Sequence, residues 1–114
     1  MSAITTHVLD TALGRPAGGV PVHLETEETD GGWRVLGTGA TDGDGRLRDL
    51  LPGDFDLQPG VYRLTFDTAR YFEAQGMKSF YPHVSVIFLV DDSAQHYHVP
   101  LLLSPFGYST YRGS

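Results

Sequence analysis

Three histidines in this sequence are spaced for proton chemistry. His7 lies in "THVLD", and His96 and His98 stand two apart in "HYHVP", so in an extended segment the latter two project from one face. An unperturbed imidazole titrates near about pH 6.5 and can take or give a proton at neutral pH. The same three side chains suit a three-histidine zinc site with an open position, although no cysteine and no closely spaced carboxylate joins them. The expectation is proton chemistry without metal. His23 and His83, the remaining two of the five histidines, read as structural. Arg46 follows the glycine-rich turn "TDGDGR", where a guanidinium can hold a planar, oxygen-rich ligand through paired hydrogen bonds; the spacing equally suits a solvated loop arginine. The turn does not read as a calcium loop. Counting from Asp42, Arg46 and Leu47 stand where a ligand and the required glycine belong, and Gly53 stands where the closing glutamate belongs. The last four residues, "YRGS", bring a phenol, a guanidinium and a hydroxyl directly after strand-like sequence. Chain ends are usually less committed than this.

Composition narrows the chemistry further. The chain has 114 residues, 40% hydrophobic and 19% charged, which suits one compact domain, 1–114, with enough apolar surface for a core. A net charge of -6 with scattered Lys and Arg offers no basic stripe for nucleic acid or an anionic membrane. No cysteine is present, so disulfides, thiolate nucleophiles and cysteine metal sites are excluded. The start lacks a basic region followed by an apolar one, and no run reaches membrane-spanning length, so a soluble, cytoplasmic protein is expected. "GYSTY" matches only half of a nucleophile elbow, and no phosphate-cradling loop precedes a helix, which disfavours serine hydrolase and nucleotide chemistry.

The elements that must position these residues are mostly short strands. "AITTHVLD" is rich in β-branched residues and ends at "LGRPAGG", where Pro16, Gly18 and Gly19 favour a turn. "VPVHLETE" puts Val20, Val22 and Leu24 on one face and pairs as a hairpin with "GGWRVLGTGATD" across Asp30-Gly31-Gly32. "GVYRLTFD" is a further strand, after which "DTARYFEAQGM" reads as one short helix, capped at Asp67 or Thr68 and stopped at Gly76. "HVSVIFLVDD", "HYHVPLLLS" and "GYSTYR" complete seven or eight strands, the pattern of an all-β antiparallel sandwich. Val84, Val86, Ile87, Phe88, Leu89 and Val90 form a nearly continuous apolar run, as do Val99, Leu101, Leu102 and Leu103. Apolar residues on both faces imply that the outer face is covered, by self-association or by a local loop or the helix.

"THVLDTALGRPA", "TDGDGR" and above all "HYHVPLLLSPFGYSTYRGS" resemble the 5-hydroxyisourate hydrolase family, the transthyretin-related proteins of purine catabolism. The resemblance runs through essentially the whole chain, and the closing Tyr-Arg-Gly-Ser is its most specific part. Phe106 departs from it, standing where "SPYGYS" would have tyrosine. The resemblance implies a transthyretin-like sandwich assembled as a homotetramer, sites in the channel between dimers, no metal and no organic cofactor. It implies hydrolysis of 5-hydroxyisourate to 2-oxo-4-hydroxy-4-carboxy-5-ureidoimidazoline, a small purine-derived substrate. The functional residues it implies are His7, Arg46, His98, Tyr111, Arg112, Gly113 and Ser114. On that reading His7 or His98 is the base, the other orients the substrate, Arg46 stabilises developing charge, and Ser114 contributes its hydroxyl or a free carboxylate. Two other classes share the pattern in part. Transthyretin itself carries hydrophobic ligands without catalysis, and "TDGDGR" followed by "LPGDFDLQPGVYRLTF" is also similar to accessory transthyretin-like domains.

Overall fold

A computed structural model describes residues 2–114. Two sheets face each other across one apolar core. The first contains β1 (Ile4–Asp10), β2 (Arg15–Pro16), β5 (Arg46–Leu47), β8 (Tyr97–Ser104) and β9 (Gly107–Thr110). The second has the order β4 (Trp33–Ala40), β3 (Pro21–Glu27), β6 (Gly60–Phe66), β7 (Val84–Val90). Every pairing is antiparallel except β1 with β8, which run parallel. The segment read as a loop after β1 contributes the two-residue strand β2, with Leu9 opposite Pro16 and Asp10 opposite Arg15. Proline is tolerated there because β2 is an edge that needs no further N–H donor.

Period-two alternation sends one side of each strand into the core. Ile4 and Val8 from β1, Leu24 from β3, Leu64 and Phe66 from β6, Val84 and Val90 from β7, and Leu101 and Leu103 from β8 are all buried. Each such side chain contributes roughly 1.5–3 kcal/mol relative to exposure. The one helix among the described residues, α1 (Thr68–Glu73), is capped by Asp67, whose carboxylate accepts from the Arg70 N–H. Beyond it the chain turns away at Gly76, φ +68°. Phe72 is buried, and the Tyr71 hydroxyl donates to Asp10 at 2.7 Å, pinning α1 to β1.

The two apolar strands behave differently on their outer sides. Leu102 is half-buried, whereas Ile87 and Leu89 remain 60% and 62% exposed. Among the described residues no loop or helix buries them; α1 packs beside β3. β7 and β9 each form one edge of their sheets. An apolar strand with an unpaired edge is a template for pairing with another chain. Among the described residues no helix is long and apolar enough to cross a membrane.

Candidate active site

The centre of β1 organises the site, because it is flanked on both sides by strands distant in sequence. On one side His7 lies opposite Arg46 of β5, and on the other Thr5 lies opposite His98 of β8. Directly paired residues share a sheet face, so Thr5, His7, Arg46 and His98 all project from the outer face. Arg46 reaches this register through the turn before it. The Asp42 carboxylate accepts from the Asp44 and Arg46 N–H groups at 2.9 and 3.0 Å, and these bonds, the one to Arg46 foremost, hold its carboxyl below the usual range. Gly45 adopts φ +76°, and a Cβ there would lie 2.4 Å from the Val8 carbonyl oxygen. Only glycine lets the turn approach β1 this closely.

Arg46, His98 and Ser114 line a cavity of about 160 Å³. The His98 ring is half-buried, with Nδ1 2.8 Å from the Thr5 hydroxyl. Burial, and then the positive fields of Arg46, His96 and His7, push the His98 imidazole below the ordinary histidine value. The ring is therefore predominantly neutral near pH 7 and has a lone pair to offer. His7 lies beside the cavity, its Nε2 2.9 Å from the Asp44 carbonyl oxygen. A carbonyl only accepts, so Nε2 carries the proton and neutral His7 keeps its lone pair on Nδ1.

The chain end divides around His98. The Gly113 N–H donates to the His98 carbonyl at 2.8 Å, forming a single β-bridge. A Cβ at Gly113 would stand 2.6 Å from His98 Cδ2, so the absence of a side chain is what allows the end to lie against the ring and Ser114 to reach the cavity. Tyr111 and Arg112 turn elsewhere. They line a groove with Ile87, Leu89 and Val99, where the Arg112 guanidinium sits 4.5 Å from the Tyr97 ring centroid and bonds the Gln95 amide oxygen at 2.7 Å. Gly113 thus meets His98 and Ser114 lines the same cavity, while Tyr111 and Arg112 lie on the groove.

Four further residues line the same cavity: Thr5, Thr6, Arg48 and His96. Thr5 and Arg48 stand two residues from His7 and Arg46, and the pairing of His96 with His98 follows the same period. That periodicity was the available signal. The two rings lie 6.5 Å apart and nearly parallel, at 16°. Among the described residues no group of three or more His, Asp or Glu side chains is arranged to hold a metal ion. His23 and His83 lie apart from the site. His23 Nε2 is 3.3 Å from Glu25 Oε1 on the other sheet, where Arg63 clamps the Glu25 carboxylate with two 2.8 Å bonds, and His83 is exposed.

The model of the HIUase/Transthyretin family matches residues 4–113. The chain belongs to the HIUase/transthyretin family. Within it, the 5-hydroxyisourate hydrolase of Mus musculus is 49% identical over 114 residues, covering 99% of this chain and 96% of that one. The 5-hydroxyisourate hydrolase of Salmonella typhimurium is 49% identical over 111 residues, covering 97% and 80%. 5-hydroxyisourate hydrolase 2 of Rhizobium meliloti is 46% identical over 115 residues, covering 97% and 95%. Among solved structures, sea bream transthyretin in complex with thyroxine superimposes with a TM-score of 0.91 at 35% identity, covering 98% of this chain and 95% of that one. The β-sandwich expected from the strand pattern, and the transthyretin-like form of it that the resemblance implied, are the fold observed.

Proposed function

We propose that this protein hydrolyses 5-hydroxyisourate to 2-oxo-4-hydroxy-4-carboxy-5-ureidoimidazoline in urate degradation. The observation that carries the reading is the convergence of a proton-poor histidine and a guanidinium on one small cavity, in a chain about half identical to 5-hydroxyisourate hydrolases. Water attacks a ring carbonyl, a C–O bond forms, the ring C–N bond breaks, and negative charge develops on the carbonyl oxygen on the way. That chemistry needs a base for the water and a cation for the oxyanion. His98 is the base, supported by its depressed proton affinity, and Arg46 receives the oxyanion and holds the substrate. His7, with Nε2–H committed to Asp44, orients the ring, and the Ser114 hydroxyl holds the water. The cavity volume of about 160 Å³ is below the roughly 300–1,000 Å³ of pockets for drug-sized ligands, which favours a small substrate.

The working form is a cytoplasmic homotetramer. Its support is the exposed apolar face of Ile87 and Leu89 on an open sheet edge. Tyr111 and Arg112, on the neighbouring groove, enter the substrate-binding set through a subunit contact.

The test is the ultraviolet decay of freshly made 5-hydroxyisourate with and without protein, expected to accelerate in proportion to enzyme. His7→Ala, Arg46→Ala and His98→Ala each lower the rate by about a hundredfold or more while the fold is kept. If the folded wild type leaves the spontaneous decay untouched, the hydrolase reading fails, and a binding role like that of thyroxine-bound sea bream transthyretin takes its place.

A further inference from the structure

One hydroxyl group joins two imidazoles behind the site. Thr5 Oγ1 lies 2.8 Å from His98 Nδ1 and 3.1 Å from His96 Nε2. Thr5 is 4% exposed, whereas His96 is open to solvent. A hydroxyl owns one proton. If it donates to one ring it accepts from the other, and the two neutral rings are then locked to the same tautomer, both Nδ1–H or both Nε2–H.

We infer that Thr5 and His96 are positioning residues that form a proton relay from His98 to solvent, an inference that rests on the hydrolase reading above. For His98 to take a proton from water at Nε2, its Nδ1 must carry a hydrogen. That hydrogen is donated to Thr5, whose own hydrogen is donated to His96 Nε2, leaving His96 with Nδ1–H. When Nε2 of His98 accepts the proton of the attacking water, a positive charge appears in a cluster already holding His7 on β1, Arg46 and Arg48 on and after β5, and His96 before β8. The remaining polar neighbours are the Ser114 end and Thr6, whose hydroxyl donates to the Val99 carbonyl. The relay removes that charge. The His98 Nδ1 proton passes to Thr5 Oγ1, the hydroxyl proton passes to His96 Nε2, and His96 releases its Nδ1 proton to bulk water. On ring opening the flow reverses: His98 Nε2–H protonates the leaving ring nitrogen, and a solvent proton entering at His96 Nδ1 restores His98 Nδ1–H through Thr5. One proton leaves and one returns per turnover, so the hydroxide of water ends on carbon and a proton on nitrogen.

Histidine-selective ¹⁵N labelling reads the tautomers directly and independently of activity. In the wild type above the titration of both rings, long-range ¹H–¹⁵N correlations are expected to show His96 and His98 both as Nδ1–H, and Thr5→Val to uncouple them. Opposite tautomers on the two rings overturn the relay. In kinetics, Thr5→Val and His96→Ala are each expected to lower kcat by about tenfold, less than loss of a base itself, with KM unchanged. Imidazole buffer should restore kcat in His96→Ala, Thr5→Ser should retain the wild-type rate, and the double variant should be no slower than either single one. His96 is exposed, so its variant folds even if Thr5→Val does not. A wild-type kcat in His96→Ala, with no buffer dependence, overturns the relay while leaving the hydrolase reading intact. A wild type that never consumes substrate overturns the hydrolase reading, and the relay with it.

Discussion

Replacing Gly113 with alanine adds one methyl group where the chain end meets the His98 ring. A Cβ there stands 2.6 Å from His98 Cδ2 and 3.2 Å from Pro100 Cγ, whereas carbon atoms in contact settle at about 3.5 Å. The neighbours must therefore separate by about 0.9 Å at the closer contact. Pro100 is buried within β8 and does not yield, so the displacement falls on the imidazole or on the chain end. If the ring moves, Nδ1 leaves its 2.8 Å bond to Thr5 and Nε2 loses its aim. If the end moves, the 2.8 Å bond from Gly113 N–H to the His98 carbonyl is lost and Ser114 withdraws from the cavity. Misplacing a reacting group by about 1 Å costs on the order of a hundredfold in rate. Stability is expected to fall by no more than about 1 kcal/mol, the net worth of one backbone hydrogen bond. Initial rates of 5-hydroxyisourate loss, paired with a thermal melt, measure both. Gly53→Ala is the control, since a Cβ there meets nothing within 4 Å. Wild-type kcat/KM in Gly113→Ala would refute the steric argument, and an equal loss in Gly53→Ala would show that it has no site specificity.

Deleting Gly113 and Ser114 should reduce activity by at least about tenfold with little change in melting temperature, because the end contributes to the site and not to the core; equal activity would remove both residues from the mechanism. His98 predicts a pH profile: with its folded pKa below the ordinary value of about 6.5, the acid limb of kcat/KM lies below that pH, and Arg46→Gln moves the limb upward by removing a neighbouring cation. The same shift has a stability counterpart. The unfolded chain binds the proton first, so stability falls as pH drops from about 6.5 towards the folded pKa, and a denaturant series on His98→Gln should lack this component. Charged substitutions at Ile87 and Leu89 should dissociate the assembly in sedimentation and lower activity with it; a wild type that sediments as an active monomer would contradict the tetramer. At the outer face of β8 the equivalent position is Leu102, since Leu101 faces the core.

Much of this protein was legible without coordinates. Alternation at Val20, Val22 and Leu24, the Asp30-Gly31-Gly32 hairpin turn and the Asp67 cap of a short helix, with Gly76 turning the chain shortly after it, are local effects, encoded by backbone preference and by which side chains avoid water. All three appear in the structure. The reactive types were visible too, because imidazole at neutral pH and guanidinium after a tight turn are chemically distinctive wherever they occur.

Adjacency was not legible, because it depends on register between strands far apart in the chain. His98 and Thr5 are 93 residues apart and meet only because β1 and β8 pair in parallel with Thr5 opposite His98. A threonine or a second arginine carries no chemical mark until it is known what it faces, so the period-two spacing of Thr5 and Arg48 acquired meaning, and Thr6 emerged, only with the fold, and His96 acquired a role only through Thr5. The closing tetrapeptide shows the same limit. As a string its four residues look like one unit, yet the bridge from Gly113 to His98 sends Ser114 to the cavity while Tyr111 and Arg112 lie on the groove beside β7. Side-chain direction follows from where each residue's backbone is hydrogen-bonded, and that partner is supplied by tertiary pairing.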